Sequence, residues 1–409
     1  MENGTHLYMY KGVVGIPTLA MVDDLAKISE CGTESVKDNA FVNARIEQNK
    51  LEFNMTKCHH MHAGKKCRLC PTLRAHETAM ALVSEDKYVG DVVSEDGKHT
   101  KNINSRRSKG IGVCNEITTI LDNLCLGAHH FQVAIMLRQA MLVQVLLSNS
   151  GPWLRLTKAN MKKLESVDLM LLRKILHTAI STPVCALYLE CGCVPIRFVI
   201  KERRIMYLHH ILTREKDALI ARVFWAQVDS PTAGDWCLVV REDLQQLGLD
   251  HLTYASIAEM SKDQLKNLLK KQVEETALEY LNNEKEKLSK LRPQSYPALK
   301  MQPYLSNVSQ LPVRLKQVYF KWRTRMIKVG WNFGSKTKCP LCSEVDDNQN
   351  HLFDCPNLTD NIDALTTNLI IDNQDSNIDN SDWDSIYKTL KRLEKAIRKR
   401  DVLLEEQET

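Results

Sequence analysis

Two adjacent carboxylates near the start of the chain are of the residue type that binds divalent cations. Asp23 and Asp24 lie between two short apolar runs, 19–22 and 25–28, which predicts a tight hairpin turn. Carboxylate oxygens are preferred ligands of hard cations such as Mg²⁺, and nucleotidyl transfer uses two such ions to hold the attacking and leaving oxygens. The alternative interpretation is a solvated turn, because Asp is a favoured turn residue.

A second set of residues has the spacing of a zinc site. Two residues separate Cys339 from Cys342, eight separate Cys342 from His351, and three separate His351 from Cys355. Three thiolates and one imidazole complete a tetrahedral shell, which indicates a structural rather than a catalytic zinc ion. We call these four residues the Cys3His motif. The alternative is a chance cluster in a chain with 13 cysteines.

Cysteine and histidine also cluster between residues 58 and 70. This composition suggests a further zinc site, and the cysteine distribution as a whole suits reduced thiols and metal better than a disulfide framework. Strand alternation, however, sends His60 and His62 to one face and His59 to the other, which favours ordinary strand residues. Both interpretations stay open for Cys58, His59, His60, His62, Cys67 and Cys70.

The composition is that of an ordinary globular protein with a mild positive charge. Of its 409 residues, 44% are hydrophobic and 26% are charged, and the length favours two or three domains. Because the net charge is only +5, nucleic-acid binding has to rest on local clusters of cations.

One cluster precedes the Cys3His motif and combines cations with an aromatic ring, as strand-binding surfaces do; a plain solvated face is the alternative. It consists of Lys321, Trp322, Arg323 and Arg325.

The sequence carries no strong signal for a membrane or for secretion. The longest apolar run, 131–147, contains Arg138 and three glutamines, so it is too short and too polar for a convincing membrane span. The N-terminal residues have neither a basic segment nor an apolar core, and no secretory signal is predicted. We therefore expect an intracellular protein, nuclear or cytoplasmic, without a membrane partner.

The elements that must position these groups are mixed at the N-terminal end and helical afterwards. Thr33 offers an N-cap for a helix that runs to about Asn49. Alternating apolar and polar residues predict a half-buried strand over 51–57, and a strand over 88–93 that runs into a turn. The other predicted elements are helices over 100–225, 236–292 and 385–406, a basic amphipathic segment over 311–330 and an Asn/Asp-rich linker over 360–384.

In this order, the motifs resemble those of the reverse transcriptases of non-LTR (LINE-type) retrotransposons. Residues 20–25 resemble the palm motif that holds the paired catalytic aspartates. Residues 54–58 resemble the next palm motif, in which Lys57 matches the lysine thought to protonate the leaving pyrophosphate. Tyr88, Val89 and Gly90 resemble the primer-grip turn of this family, which supports the end of the growing strand.

The resemblance continues into the C-terminal half of the chain. Segments in the middle of the chain are similar to the helical region downstream of the thumb; they are 182–190, 195–197 and 203–207. Residues 323–326, together with the Cys3His motif, are similar to the C-terminal zinc knuckle of the same elements. The resemblance covers residues 11 to about 357, and the collinear order of its pieces is more specific than any one of them.

The resemblance implies an α+β fold class, with a truncated reverse-transcriptase palm remnant followed by a mostly helical thumb and linker region and a small zinc knuckle. The truncated palm should leave an exposed sheet edge. The implied domains are a palm remnant (11–97), a helical thumb with a downstream bundle (98–230), a helical linker (231–310), a basic helix with the CCHC zinc knuckle (311–357), and a linker with a charged C-terminal helix (358–409).

The implied activity is RNA-directed DNA synthesis by two-metal transfer onto a DNA primer. Asp23 and Asp24 would bind Mg²⁺, Lys57 would act as general acid, and the Cys3His motif would hold structural Zn²⁺. The implied partners are an RNA template and a DNA primer. Arg106, Arg107 and Lys109 would follow the duplex through phosphate contacts, and the cluster at Lys321, Trp322, Arg323 and Arg325 would add contacts near the knuckle.

This sequence departs from the family in one important way. The fingers and the first half of the palm are missing from these residues, and with them the third metal-binding carboxylate that a two-metal site needs. We therefore expect the chain alone not to polymerise, and count the missing N-terminal half of the polyprotein among its partners. An alternative is a non-catalytic nucleic-acid-binding zinc-knuckle protein derived from such an element. A purely structural zinc protein, or a relic without function, is a third hypothesis.

Overall fold

The computed structural model describes residues 8–10, 14–16, 19–21, 24–29, 32–62, 71–289, 291, 294–335, 337–358 and 380–408. Within these residues the protein is mostly helical and its strands are few and short. This confirms the mixture of helix and strand expected from the sequence, whereas the identity of the N-terminal part as a palm remnant and the five predicted domains stay predictions. Of the predicted linker over 360–384, residues 360–379 lie outside the described residues.

Among its described residues, the N-terminal part combines one helix with five two-stranded sheets. Four sheets are antiparallel pairs: β1 (Tyr8–Tyr10) with β2 (Val14–Ile16), β3 (Leu19–Met21) with β4 (Asp24–Ala26), β6 (Arg74–Ala75) with β7 (Thr78–Ala79), and β9 (Glu85–Tyr88) with β10 (Asp91–Ser94). The fifth pairs β5 (His59–His60) with β8 (Ala81–Leu82) in parallel. Helix α1 (Gly32–Gln48) matches the predicted helix.

The strand predicted over 51–57 is wrong. The structure has a turn at residues 55–57, where the Lys57 N–H donates to the Asn54 carbonyl at 2.9 Å. The Asn54 side-chain oxygen also accepts from the Thr56 backbone N–H at 3.2 Å and from the Thr56 hydroxyl at 2.6 Å. An Asn side chain that bonds its own backbone two residues on competes with a strand ladder, and here the turn prevails.

From residue 100 onward the described chain is helical, as the periodicity predicts. The helices are α2 (Thr100–Asn123), α3 (His130–Leu137), α4 (Val143–Leu147), α5 (Lys158–Ile175), α6 (Val184–Cys191), α7 (Ile196–Leu212), α8 (Leu219–Asp229), α9 (Trp236–Gln246), α10 (Tyr254–Glu259), α11 (Lys262–Glu286), α12 (Val313–Arg323), α13 (His351–Asp354) and α14 (Asn380–Glu408). A π-helical turn, Arg138–Leu142, joins α3 to α4.

The chain forms two compact units. The first comprises Met1–Lys109, Leu146–Leu164 and Ile200–Leu269, and the second comprises Gly110–Val145, Glu165–Val199 and Lys270–Thr409. The first unit is held together internally by Arg204, whose guanidinium donates to Asp243 at 2.6 Å and to the Trp153 carbonyl at 3.0 Å. These bonds connect α7, α9 and the segment before α5.

In the second unit, a buried ion pair joins three helical segments. Arg138 donates two hydrogen bonds to Asp168, both 2.7 Å long, and a third to the Val194 carbonyl at 3.1 Å. The Tyr188 hydroxyl donates to the same carboxylate at 2.9 Å. Asp168 and Arg138 are both buried, so this bidentate pair with an additional donor has the geometry that a buried charge requires.

The apolar run that contains Arg138 is the one segment among the described residues that could span a membrane by length and composition. It covers Gly127–Leu147 with a mean hydropathy of 1.4. Its Phe131, Ala134 and Leu142 are buried inside the protein, as in the core helix of a folded domain. A single segment of this kind is weak evidence for a membrane span.

Candidate metal centre

A tight loop presents the two N-terminal cysteines of the Cys3His motif. Lys338 and Asp346 form an isolated antiparallel bridge, and the Cys339 N–H donates to the Val345 carbonyl at 2.7 Å. The loop closes where the Ser343 N–H donates to the Cys339 carbonyl at 2.8 Å, with Ser343 in the left-handed region at φ 61°. The backbone therefore folds so that the Cys339 and Cys342 thiols point to a common position.

The short helix α13 presents the other two ligands. Its start is fixed by Asn348, whose side-chain oxygen accepts from the backbone N–H groups of Asn350 at 2.9 Å and of His351 at 3.0 Å. The Cys355 N–H donates to the His351 carbonyl at 2.9 Å. His351 and Cys355 are thus one helical turn apart and lie on the same side of α13.

The four side chains converge with distances that suit one tetrahedral ion. Their ligand atoms all lie within 4.8 Å of one another. The Cys339 and Cys355 sulfurs are 3.9 Å apart, and the Cys342 sulfur lies 3.2 Å from the His351 Nε2. Two thiolates bound tetrahedrally at about 2.3 Å from a zinc ion would be about 3.8 Å apart. The cluster could therefore hold a metal such as zinc.

The thiols of Cys342 and Cys355 differ in pKa because their surroundings differ. Backbone N–H groups of Val345 and Glu344 lower the pKa of Cys342 to about 6, so this thiol is ionised at neutral pH. Burial raises the pKa of Cys355 to about 11. Since a thiol binds metal as the thiolate, Cys342 is ready to ligate, whereas Cys355 gives up its proton when a metal binds.

Residues between the ligands attach this loop to the rest of the second unit. The Asp347 carboxylate accepts from the Gly330 N–H at 2.5 Å and from Arg400 of α14 at 2.8 Å. The Gln349 side chain donates to the Trp322 carbonyl at the end of α12, at 3.3 Å. The sequence offered no signal for Asp347, Gln349 or Arg400, because their partners are distant along the chain.

Two members of the cation cluster before the motif belong to the protein core. Arg323 is 7% exposed and pairs with the buried carboxylate of Glu190 at 3.1 Å. Trp322 is 3% exposed and packs edge-on against Phe353, with ring centroids 5.1 Å apart. We therefore assign both side chains to packing and not to a nucleic-acid surface.

Lys321 and Arg325, the other members of this cluster, are partly exposed. Burial lowers the pKa of both side chains.

The three cations predicted on α2 also divide between core and surface. Arg106 is buried, forms an ion pair with Asp91 and a hydrogen bond with Ser148, and lies over the Trp153 ring at 5.1 Å. It therefore serves as a structural contact. Arg107 and Lys109 are exposed.

Three lysines that the sequence did not single out lie on the neighbouring helix α5. Lys163 donates to Asn104 of α2 at 2.7 Å, and Asn160 donates to Thr100 at 3.2 Å, so the first turns of α5 lie against α2. Lys158 and Lys162 are exposed and Lys163 is partly exposed. We define the α2–α5 basic face as Arg107, Lys158, Lys162 and Lys163; Lys109, two residues after Arg107, lies on a different side of α2.

The predicted catalytic residues are only partly described. Asp23 lies outside the described residues. Asp24 is the first residue of β4 and pairs with Met21, so the backbone on either side of the Asp-Asp pair forms an antiparallel hairpin. Lys57 is exposed in the turn at 55–57.

The segment predicted as a primer grip is the tip of the β9–β10 hairpin. Tyr88 pairs with Asp91, and the two residues between them, Val89 and Gly90, both have positive φ, at 46° and 86°. This combination is typical of the type I′ turn that closes tight hairpins. The continuous strand predicted over 88–93 is therefore wrong, because this turn interrupts it. The Asn149 side chain donates to the Val89 carbonyl at 3.1 Å and fixes the tip.

The second cysteine and histidine cluster is described only as far as residue 62. The His59 ring lies 3.2 Å from the Asp86 carboxylate, which gives it an ordinary hydrogen-bond partner. Burial raises the pKa of Cys58 and lowers that of His60. Cys67 and Cys70 lie outside the described residues.

Comparisons with models of protein families, with curated proteins and with solved structures found no match to this chain.

Proposed function

We propose that the Cys3His motif binds one Zn²⁺ as a structural knuckle. The proposal is supported by four convergent ligand atoms and by the burial of Cys339, His351 and Cys355, which are 1%, 5% and 0% exposed. Four protein ligands leave no coordination position for a substrate, which is the arrangement of a structural site. The bound ion would connect the 339–345 loop to α13.

Zinc content tests this proposal directly. We expect about one zinc per chain for the protein as purified, by atomic emission, and a loss of that zinc in Cys342→Ser and His351→Ala. Cys125→Ser is the matched control, because Cys125 is an exposed free cysteine outside the motif. Zinc retained by both site variants, or lost equally in the control, would contradict the assignment.

We propose further that the chain is part of the RNA-directed DNA polymerase of a non-LTR retrotransposon, and that its share of the work is to hold the RNA template and DNA primer. The observation that carries this proposal is the order of its features. The Asp-Asp hairpin comes first, then the β9–β10 hairpin with its tight tip, then the helical region, and last the Cys3His cluster. This order is the one that the resemblance to that family predicts.

The α2–α5 basic face is the surface proposed to contact the duplex. It combines one predicted cation, Arg107, with lysines in the first turns of α5, where Lys163 donates to Asn104, one turn before Arg107. The sequence has no carboxylate between Asp96 and Glu116, or between Lys158 and Glu165, so cations prevail on both helix segments. Contacts of this type go to phosphates and give affinity without sequence preference.

The catalytic part of the proposal rests on the resemblance alone. Asp23 and Asp24 are the proposed Mg²⁺ ligands, and Lys57 is the proposed general acid. The exposed position of Lys57 leaves its ammonium accessible to a leaving group. The turn at Val89 and Gly90, fixed by Asn149, would support the primer end.

Binding to a labelled RNA–DNA hybrid, followed by fluorescence anisotropy, tests the proposal that the chain holds nucleic acid. The basic-face variant carries Arg107→Gln, Lys158→Gln and Lys162→Gln, together with Lys109→Gln on another side of α2, and we expect it to lose about tenfold or more in affinity at about 0.1 M salt. The control removes the same charge at exposed lysines elsewhere and should bind like the wild type. Its substitutions are Lys216→Gln, Lys262→Gln, Lys266→Gln and Lys270→Gln.

Magnesium-dependent primer extension separates the catalytic from the non-catalytic hypothesis. Extension after addition of the upstream half of the polyprotein, abolished in an Asp23→Ala, Asp24→Ala double variant, would support a polymerase. Extension by the chain alone would contradict our expectation that a third carboxylate is needed from outside these residues. If the chain binds nucleic acid but extends no primer, alone or with the upstream half added, the result would favour the non-catalytic nucleic-acid-binding protein.

A further inference from the structure

Helix α14 has two different faces. One face is buried in the second unit, where it contacts α12 and α13. The buried apolar side chains are Trp383, Ile386, Leu390, Leu393 and Ala396. Ion pairs flank them: Arg400 bonds Asp347 at 2.8 Å, and Arg314 of α12 pairs with Glu394. The helix is therefore held in one orientation, with its opposite face in solvent.

The opposite face carries a row of cations. With about 100° between successive residues of an α-helix, these side chains fall within one third of the helix circumference, centred opposite Leu390 and Leu393. The members of this α14 basic stripe are Lys388, Lys391, Arg392, Lys395, Arg398 and Lys399. All six are exposed; Asp384 precedes the stripe by about one turn, Glu394 lies within its span, and Asp401 and Glu405 follow it.

Within the part of the chain that the structure describes, most cations of the stripe form no ion pair with a carboxylate. Arg398 bonds Glu394 at 2.9 Å, and the Lys391 ammonium lies over the Tyr387 ring at 5.0 Å. Within the described residues, no ion pair or hydrogen bond is formed by the side chains of Lys388, Arg392, Lys395 or Lys399. Four cations held on a fixed helix surface are thus available to an anionic partner.

The length and straightness of the stripe suit the phosphates of a nucleic-acid duplex. From Lys388 to Lys399 the helix rises about 16 Å, over which one strand of a duplex passes about five phosphates at about 3.4 Å each. An anionic membrane fits less well, because the apolar face that would enter the lipid is already buried in the protein.

We propose that the α14 basic stripe is a phosphate-binding surface for a nucleic-acid duplex, separate in sequence from the α2–α5 basic face. The proposal rests on the function proposed above, since it assumes that the chain binds nucleic acid, and it adds a contact surface beyond the zinc knuckle. It assigns to α14 a role that its composition alone, a charged helix, did not indicate.

The test uses the full chain with four neutralised cations. The stripe variant carries Lys388→Gln, Arg392→Gln, Lys395→Gln and Lys399→Gln. The charge-matched control is the four-lysine variant described above, with the substitutions Lys216→Gln, Lys262→Gln, Lys266→Gln and Lys270→Gln. Affinity is measured by anisotropy at several salt concentrations for a DNA duplex, an RNA–DNA hybrid and a single-stranded RNA. Zinc content and helical circular dichroism verify that each variant is folded.

We expect the stripe variant to bind a duplex about tenfold or more weakly at about 0.1 M salt. Its salt slope should be shallower by roughly 0.9 for each neutralised cation that binds a phosphate in the wild type. The control should keep wild-type affinity and slope, and the two duplex probes identify which duplex is preferred. A weakening confined to single-stranded RNA would overturn the assignment to a duplex.

Other outcomes separate the failure of this proposal from that of the proposed function. If the wild type binds a duplex and the stripe variant binds it equally well, the stripe proposal is wrong and the proposed function stands. If the wild type binds none of the three nucleic acids, both are wrong. If the stripe variant loses binding to phosphatidylserine vesicles but not to duplexes, the surface serves a membrane and the proposal is overturned.

Discussion

Several cationic side chains lie in the protein interior, and each has its own acceptors. Arg138 bonds Asp168, and Arg323 bonds Glu190. The ammonium of Lys316, on α12, instead donates to three backbone carbonyls, of Ala128 at 2.9 Å, Leu305 at 3.2 Å and Ser306 at 2.6 Å. These bonds use all three ammonium protons and join segments that are far apart in sequence.

Because Lys316 is buried, we expect the stability of the protein to depend on pH in the alkaline range. Burial lowers the pKa of its ammonium to about 8, whereas an unfolded lysine has a pKa of about 10.4. Between these values the unfolded chain binds more protons than the folded chain. The contribution of this residue to the free energy of unfolding therefore rises as the pH rises from about 8 to about 10.

Urea unfolding of the wild type and of Lys316→Met at about pH 7.5 and about pH 9.5 measures this contribution. We expect the wild type to gain stability relative to the variant at the higher pH. A difference between the two proteins that is constant, or that shrinks with pH, would contradict the lowered pKa. Lys388→Met, at an exposed position of α14, is the matched control and should show no such change.

The residue scale also shows which functional groups a sequence can reveal. The Cys3His ligands were predictable because the loop and one turn of helix that bring them together are local. The partner of Arg323 was not, because Glu190 is 133 positions away. In the sequence Arg323 is a cation beside an aromatic residue, and only packing distinguishes a core cation of this kind from a surface one.

At the scale of elements, α14 packs its apolar face against α12 and α13 in the second unit. Leu390 is fully buried, and its truncation would leave a cavity between α14 and its neighbours. We expect Leu390→Ala to lower the free energy of unfolding by about 2–4 kcal/mol, measured by urea denaturation. Lys388→Ala, two residues earlier on the exposed face, should change it by less than about 0.5 kcal/mol. Equal effects of both substitutions would contradict the docking of this face.

The helices could be predicted from the sequence, whereas the strands predicted over 51–57 and 88–93 are wrong, for different physical reasons. A 3.6-residue periodicity repeated over several turns, as in α2, α5 and α14, averages out the choices of single residues. The segment 51–57 offered only a short alternation, and the hydrogen bonds that the Asn54 side-chain oxygen accepts from Thr56 favour a turn over a strand. The alternation of residues did not predict the turn that interrupts the segment 88–93, because Val89 adopts a φ of 46° that non-glycine residues seldom adopt.

At the scale of the whole molecule, the modest net charge of +5 conceals a separation between core and surface cations. Arg106 and Arg323, which were predicted to contact nucleic acid, are buried and form ion pairs within the protein, whereas exposed cations of α2, α5 and α14 are the ones proposed to contact phosphates. In the proposed function, the Cys3His motif would organise the second unit and the exposed cations would supply the affinity for nucleic acid.

The salt dependence of wild-type binding to an RNA–DNA hybrid tests the role of the exposed cations most directly. If exposed lysines and arginines contact phosphates, the logarithm of the association constant should fall linearly with the logarithm of the salt concentration. The slope should be about −0.9 for each contact, or roughly −4 when four cations take part. Absence of binding at about 50 mM salt, or an affinity that does not change between about 50 and 200 mM salt, would contradict nucleic-acid binding through these cations.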